Sequence, residues 1–187
     1  MDSVNKHRRS IRLPGWDYRS SAAYFITICT FNRQSLFDNP VWSRIAEDAW
    51  QSVPQHNNAT LDNWVLMPDH FHGIIFLGAS ASSPLAIDPI ELHWVSQEAS
   101  TPRPLTNAPA GSLGAVVRSF KAVVTRKINV SRGTPAEKVW QRGYYERIIR
   151  DNEELERIRG YIAQNPVRWA EKEDSLNRLL TRMRLKG

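Results

Sequence analysis

Alternating and helical hydrophobic patterns divide the chain into short strands and amphipathic helices. Strands rich in aromatic and β-branched residues are predicted at 23–30, 59–67, 70–77 and 140–149. Helices are predicted at 41–53 and 113–129, where apolar residues recur every three or four positions, and at 151–165. The order strand, helix, strand, strand, helix, strand predicts an α+β fold, with a ferredoxin-like or RRM-like antiparallel sheet and helices on one face. In this arrangement the strand at 70–77 and its hairpin partner can lie centrally.

Composition changes mark the boundaries of the predicted domain. We expect a basic N-terminal arm at 1–22, a main domain at 23–170 and a charged C-terminal tail at 171–187. Residues 78–111 are rich in Ala, Ser, Thr and Pro, which predicts a long loop within the domain.

The bulk properties favour a soluble protein that binds polyanions. The 187 residues carry a net charge of +6, and 41% of them are hydrophobic, enough for a substantial core. The single cysteine, Cys29, excludes an internal disulfide and favours a reducing compartment. The sequence has neither an apolar stretch of about 20 residues nor a signal-peptide core, so we expect a cytoplasmic protein without a membrane partner.

The triplet His70-Phe71-His72 is the strongest chemical signal. Side chains two residues apart on a strand leave the same face, so both imidazoles would converge while Phe71 enters the opposite layer. Two convergent imidazoles form half of a divalent-metal site. The alternative is an ordinary pair of surface histidines on an amphipathic strand.

The helix at 151–165 offers a nucleophile and a third ligand. Asp151 and Glu154 resemble a capping box, and Pro166 predicts where the helix ends. Tyr161 and Asn165 are four residues apart and therefore share a face, so a phenol lies beside an amide oxygen that can bind a metal. A packing role for the tyrosine is the alternative.

Other tyrosines compete for the nucleophile role. Tyr144 and Tyr145 lie in the last predicted strand, where one would face the core and the other outward. Packing or base stacking is the simpler role for both, and Tyr161 is the preferred nucleophile.

Four segments together resemble the single-tyrosine HUH transposases, and among them the REP-associated tyrosine transposases. The segments are YFITICT at 24–30, VLMPDHFH at 65–72, WQRGYYERIIR at 140–150 and YIAQNPVRW at 161–169. They occur in the family's order, and the resemblance extends from about residue 10 to residue 170. The family often has a histidine where Arg147 stands, and the stretch at 78–111 is longer than the usual connection.

The resemblance implies a DNA nicking and rejoining enzyme. Tyr161 would be the nucleophile and would form a 5′-phosphotyrosine, with Mg²⁺ or Mn²⁺ held by His70, His72 and Asn165. The implied partner is single-stranded DNA that carries a REP-type hairpin, and the protein would be a monomer or a dimer.

Candidate DNA contacts lie in the N-terminal arm and on the second predicted helix. The arm interleaves basic and aromatic residues suited to unpaired bases, namely Arg8, Arg9, Arg12, Trp16 and Tyr18. The helix would contact phosphates through Arg118, Lys121 and Arg126, which we expect to point outward. A solvated charged face is the alternative for this helix.

Two other classes of protein fit parts of the pattern. A non-catalytic RRM-like module would bind nucleic acid through aromatic residues on the sheet surface. A metallohydrolase would need further acidic or histidine ligands and would form no covalent adduct.

Overall fold

The computed structural model describes residue 17, residues 21–78 and residues 110–184, with side chains described as far as residue 172. The strands are β1 (Ala22–Cys29), β2 (Ala59–Met67), β3 (His70–Leu77) and β4 (Tyr145–Ile149). The helices are α1 (Pro40–Gln51), α2 (Val53–His56), α3 (Leu113–Arg132) and α4 (Asn152–Arg184). None of these described helices combines the length and hydrophobicity needed to cross a bilayer. The five predicted DNA contacts of the arm lie outside the described residues: Arg8, Arg9, Arg12, Trp16 and Tyr18.

The described strands form one antiparallel sheet with the order β2-β3-β1-β4. This is the predicted ferredoxin-like arrangement, and the α+β class is confirmed. The strand β3 is central, as expected. Its hairpin partner β2 lies at an edge, because β1 pairs with the other side of β3.

The first core lies between the sheet and the helices α1 and α3. The Trp50 ring of α1 is 4.7 Å from the Phe71 ring of β3 and 5.4 Å from the Phe120 ring of α3, measured between centroids. These aromatic contacts hold α1 and α3 together on the face of β3 that bears Phe71, as predicted for the two helices between the strands.

The helix α4 adds a second core on the opposite face of the sheet. Its apolar stripe packs against one residue from each of β1, β3 and β4. The stripe consists of Leu155, Ile158 and Ile162, and the strand residues are Ala23, Ile74 and Ile149. The sheet is therefore covered on both sides, and α4 lies over the face that carries the two histidines.

The start of α4 is predicted correctly and its end is not. The Glu154 N–H donates to the Asp151 carboxylate at 2.7 Å, as a capping residue requires. The helix continues through Pro166 to Arg184 instead of ending before the proline. Proline removes one backbone hydrogen bond, but Ile162 packs in the second core before it and Trp169 packs on His70 after it.

Lys121 contacts the segment before β4, a strand that begins at Tyr145 and not at Trp140 as predicted. Its ammonium is buried and donates to the carbonyl oxygens of Gln141 (2.6 Å) and Gly143 (2.7 Å). Trp140 still forms an isolated antiparallel bridge with Thr30, but the regular ladder begins only after Gly143, whose φ is positive at 86°. Burial lowers the pKa of Lys121 to about 8. The expectation that Lys121 points outward to DNA phosphates is therefore wrong.

A histidine pair and a tyrosine as the candidate active site

His70 and His72 are neighbours on the face of β3 that α4 covers. Their ring centroids are 4.6 Å apart, and both side chains are buried. Phe71 points to the other face, towards Trp50, as strand alternation predicts. The pair therefore forms a compact, mostly water-shielded imidazole site.

A separate polar group holds each imidazole at Nδ1. His72 Nδ1 is 2.8 Å from Thr27 Oγ1, because the register of β1 and β3 places these two residues opposite each other. His70 Nδ1 hydrogen-bonds to the Asp69 carboxylate. This leaves Nε2 of each ring for a ligand or a reacting group, which is the usual arrangement of metal-binding histidines.

Asp69 is itself fixed by three hydrogen bonds from two residues. Its main-chain oxygen accepts hydrogen bonds from the Thr30 N–H and from Thr30 Oγ1, both at 2.9 Å. Its carboxylate accepts a hydrogen bond from Arg33 at 3.4 Å. The sequence signal for Asp69 was its place directly before His70. Nothing local marks Thr27, whose role depends on strand register.

The surroundings favour neutral imidazoles. Burial, helped by the nearby His70 and Arg33, lowers the pKa of His72 to about 3. Burial also lowers the pKa of His70, although the Asp69 carboxylate acts in the opposite direction. A neutral imidazole keeps the lone pair that coordination requires.

The helix α4 places Tyr161 next to this pair. The phenolic oxygen lies 3.4 Å from His72 Nε2, and the two ring centroids are 5.3 Å apart. Phe25 of β1 stacks on His72 and meets the Tyr161 ring edge-on. Tyr161 is 39% exposed, so the residue is partly open to solvent.

Asn165 lies one turn beyond Tyr161 on the same face of α4. Its amide nitrogen donates to the Tyr161 carbonyl oxygen at 2.8 Å, which leaves Oδ1 as the possible ligand atom. One turn further, the Trp169 ring is 5.8 Å from His70. Asn165 thus lies between the two residues that contact the histidines, but it forms no hydrogen bond with either imidazole among the described residues.

The competing tyrosines take different positions. Tyr144 is buried in the first core, away from the histidines. Tyr145 is half-buried and pairs with Thr27 across β1 and β4. Tyr161 is therefore the tyrosine in direct contact with an imidazole within the described part of the chain.

The exposed basic residues of α3 lie on the other side of the sheet from the contact between Tyr161 and His72. Arg118 and Arg126 are exposed as expected, but α3 packs on the face of the sheet opposite to His70 and His72. Arg147 of β4 donates to the buried Glu154 carboxylate at 2.6 Å. Arg147 thus contributes an ion pair at the start of α4.

A second ion pair fixes α4 close to Tyr161. Arg159 binds the Asp62 carboxylate of β2 through two nitrogens, with Nε to Oδ1 at 2.9 Å. Burial would raise the pKa of Asp62, but hydrogen bonds from Arg159 and from the Asn63 N–H hold it below its usual value. Since Arg159 is two residues before Tyr161, this pair sets the position of the tyrosine over the sheet.

Loss of the Asp62–Arg159 pair is expected to destabilise the protein measurably. Asp62→Asn should lower the free energy of unfolding by about 1–3 kcal/mol, because the guanidinium loses charge-assisted hydrogen bonds in a half-buried site. The control is Arg44→Gln, whose partner Asp48 lies on the same helix and is well exposed. That change should cost less than about 0.5 kcal/mol. Urea unfolding measures both, and equal losses would contradict the anchoring role.

The side chains at this site can hold a divalent cation only if the Asn165 amide is one of the ligands. Within the described ranges, no group of three or more His, Cys, Asp or Glu residues is placed to hold a metal ion. Two imidazoles, each held by another residue at Nδ1 and not at Nε2, and the Asn165 amide oxygen are the available ligands, a mixed set compatible with Mn²⁺ or Mg²⁺.

Comparison with known proteins first identifies the class of fold. No family model matches the chain. A solved REP-associated tyrosine transposase, bound to a REP hairpin, has a TM-score of 0.56 and 18% sequence identity. The match covers 84% of this chain and 74% of that one. The chain thus has the fold of that transposase.

A curated relative then shows the family itself. A protein of Haemophilus influenzae, described as uncharacterized, is 34% identical over 172 residues. The match covers 87% of this chain and 90% of the relative. The chain belongs to the same family as this Haemophilus protein.

Proposed function

We propose that the protein is a metal-dependent single-strand DNA endonuclease and strand transferase that acts on hairpin DNA through Tyr161. The observation that carries this proposal is the 3.4 Å approach of the Tyr161 hydroxyl to Nε2 of His72, beside His70. A phenol that is exposed to substrate and adjoins a buried imidazole pair is a nucleophile next to a charge-stabilising site. The shared fold with a hairpin-bound REP-associated tyrosine transposase supports the same reading.

The reaction is a transesterification in two reversible steps. In the first step, the Tyr161 oxygen attacks the scissile phosphorus and forms an O–P bond, while the bond from phosphorus to the 3′ oxygen breaks. The phenolic proton passes to solvent, and the departing oxygen takes a proton to become a 3′-OH. The 5′ phosphate stays on Tyr161. In the second step, a 3′-OH attacks the phosphotyrosine, rejoins the DNA and restores the phenol.

The protein contributes orientation to this reaction. Thr27 and Asp69 fix the two imidazoles at Nδ1, and the Asp62–Arg159 pair fixes α4. His70 and His72 would hold a divalent cation through Nε2, with the amide oxygen of Asn165 as third ligand. When bound, Mg²⁺ or Mn²⁺ would polarise the phosphate and stabilise its developing charge.

The two alternative classes fit the described geometry less well. An RRM-like module binds nucleic acid on an open sheet surface, whereas α4 covers the face opposite to α1 and α3. A metallohydrolase needs more acidic or histidine ligands, and the described residues offer no such group.

Capture of a covalent adduct tests the proposal. The probe is a pool of single-stranded oligonucleotides with one stable hairpin and randomised flanks, incubated with the purified protein and Mn²⁺. DNA labelled at its 3′ end should migrate with the protein on a denaturing gel, because the 5′ phosphate stays on the tyrosine. DNA labelled at its 5′ end should be released with a free 3′-OH. Absence of any adduct across the pool, or attachment of the 5′-labelled fragment, would overturn the proposal.

A further inference from the structure

Arg168 and Trp169 lie beside the candidate active site, shortly after Asn165 and Pro166 on α4. The proposed reaction does not use either side chain. The Arg168 guanidinium is 5.9 Å from the centre of the Tyr161 ring and donates to Gln164 at 3.0 Å. Within the described part of the chain, no carboxylate forms an ion pair with Arg168. An exposed arginine without an acidic partner, next to a nucleophile, can bind an anion.

The neighbouring Trp169 provides a second unused donor. Its ring lies 5.8 Å from His70, and its indole nitrogen is buried without a hydrogen-bond partner among the described residues. A buried donor without a partner costs free energy. The indole nitrogen of Trp50 also lacks a hydrogen-bond partner, but Trp50 is fully buried in the first core. Trp169 is only half-buried and borders the imidazole pair.

We propose that Arg168 and Trp169 form a phosphate clamp, a subsite that binds the non-bridging oxygens of a phosphodiester between Tyr161 and His70. The two donors sit at opposite ends of the imidazole pair, since Arg168 contacts Tyr161 next to His72 and Trp169 contacts His70. The guanidinium supplies charge and a planar pair of N–H groups, and the indole supplies one N–H. This assignment rests on the proposed function for its substrate, but anion binding at the clamp can be measured without any reaction.

Phosphate binding is tested by the indole N–H resonances of the ¹⁵N-labelled protein. Inorganic phosphate, added at constant ionic strength, should shift the Trp169 signal saturably, and Trp169→Phe identifies that signal among the seven tryptophans. Arg168→Gln should weaken the apparent affinity by about tenfold or more, as expected for loss of a charge-assisted contact. Arg44→Gln removes an equal charge on α1 and should leave the affinity unchanged. An unshifted Trp169 signal, or equal affinity in the Arg168→Gln and Arg44→Gln proteins, would overturn the clamp.

A kinetic measurement tests whether the clamp serves the reaction. On a hairpin that the wild type cleaves, Arg168→Gln should lower the single-turnover rate by roughly 10- to 100-fold, because a donor to developing charge is removed. Arg168→Lys should recover part of the rate, since the charge remains without the planar fork. Trp169→Phe should slow cleavage by several-fold, whereas Trp140→Phe removes an unpaired indole N–H in the first core and should not. Rates for Arg168→Gln and Trp169→Phe equal to wild type would contradict the subsite.

The two proposals fail in different ways. If the protein binds phosphate through Arg168 and Trp169 but forms no DNA adduct, the phosphate clamp is supported and the proposed nuclease function is wrong. If the wild type and the Arg168→Gln and Trp169→Phe variants form the adduct at equal rates, the proposed function is supported and the phosphate clamp is wrong.

Discussion

Tyr161→Phe is expected to abolish formation of the DNA adduct while leaving the fold and hairpin binding intact. The change removes one hydroxyl and keeps the ring, so the edge contact with Phe25 and the Arg168 contact persist. The lost oxygen is the atom that attacks phosphorus, and no water can replace it in forming a covalent protein–DNA bond. Denaturing gels of the labelled hairpin measure the adduct, and a filter or fluorescence assay measures binding.

Tyr145→Phe is the matched control for this change. Tyr145 pairs with Thr27, which in turn contacts His72, but it lies on β4 and forms no described contact with an imidazole. Its hydroxyl should be dispensable for cleavage. If Tyr161→Phe still forms the adduct at the wild-type rate, the nucleophile is another tyrosine. Adduct formation that survives in Tyr161→Phe and disappears in Tyr145→Phe would assign it to Tyr145.

Local patterns were sufficient to predict most of the elements that carry the site. The alternation around Phe71 predicts that His70 and His72 share a face, and the Pro68-Asp69 turn predicts the hairpin that holds them. The apolar spacing of α4 predicts which side of the helix meets the sheet, and it thereby places Tyr161 at the boundary of that side. These inferences need only the periodicity of strands and helices.

Features that depend on distant partners could not be predicted in this way. Thr27 orients His72 only because β1 and β3 pair in one particular register. Lys121 follows the pattern of an exposed helical residue, yet two carbonyls of the segment before β4 draw it inside. Pro166 is a local stop signal, and packing on both sides of it keeps the helix intact. In each case a tertiary contact outweighs a local preference.

Removal of either candidate metal ligand is expected to abolish cleavage. His72→Ala or His70→Ala deletes one of two neighbouring imidazoles, and one imidazole with an amide is a poor site for Mn²⁺ or Mg²⁺. Hairpin affinity should change less than tenfold, about 1.4 kcal/mol, because phosphate and base contacts lie mainly elsewhere. Electron paramagnetic resonance of added Mn²⁺ measures metal binding directly. His56→Ala, at an exposed position of α2, is the control and should change nothing.

Asp69→Asn, a milder change, distinguishes loss of a metal ligand from general damage to the buried site. Asp69→Asn leaves both imidazoles in place but weakens the hydrogen bond that orients His70. Changes of this kind cost about 10- to 100-fold in metal affinity, so cleavage by Asp69→Asn should recover when the Mn²⁺ concentration is raised, whereas cleavage by His72→Ala should not. Thermal unfolding checks that each variant is folded. Cleavage by the wild type that persists in a chelator would exclude the metal and leave the imidazole pair to act on the phosphate directly.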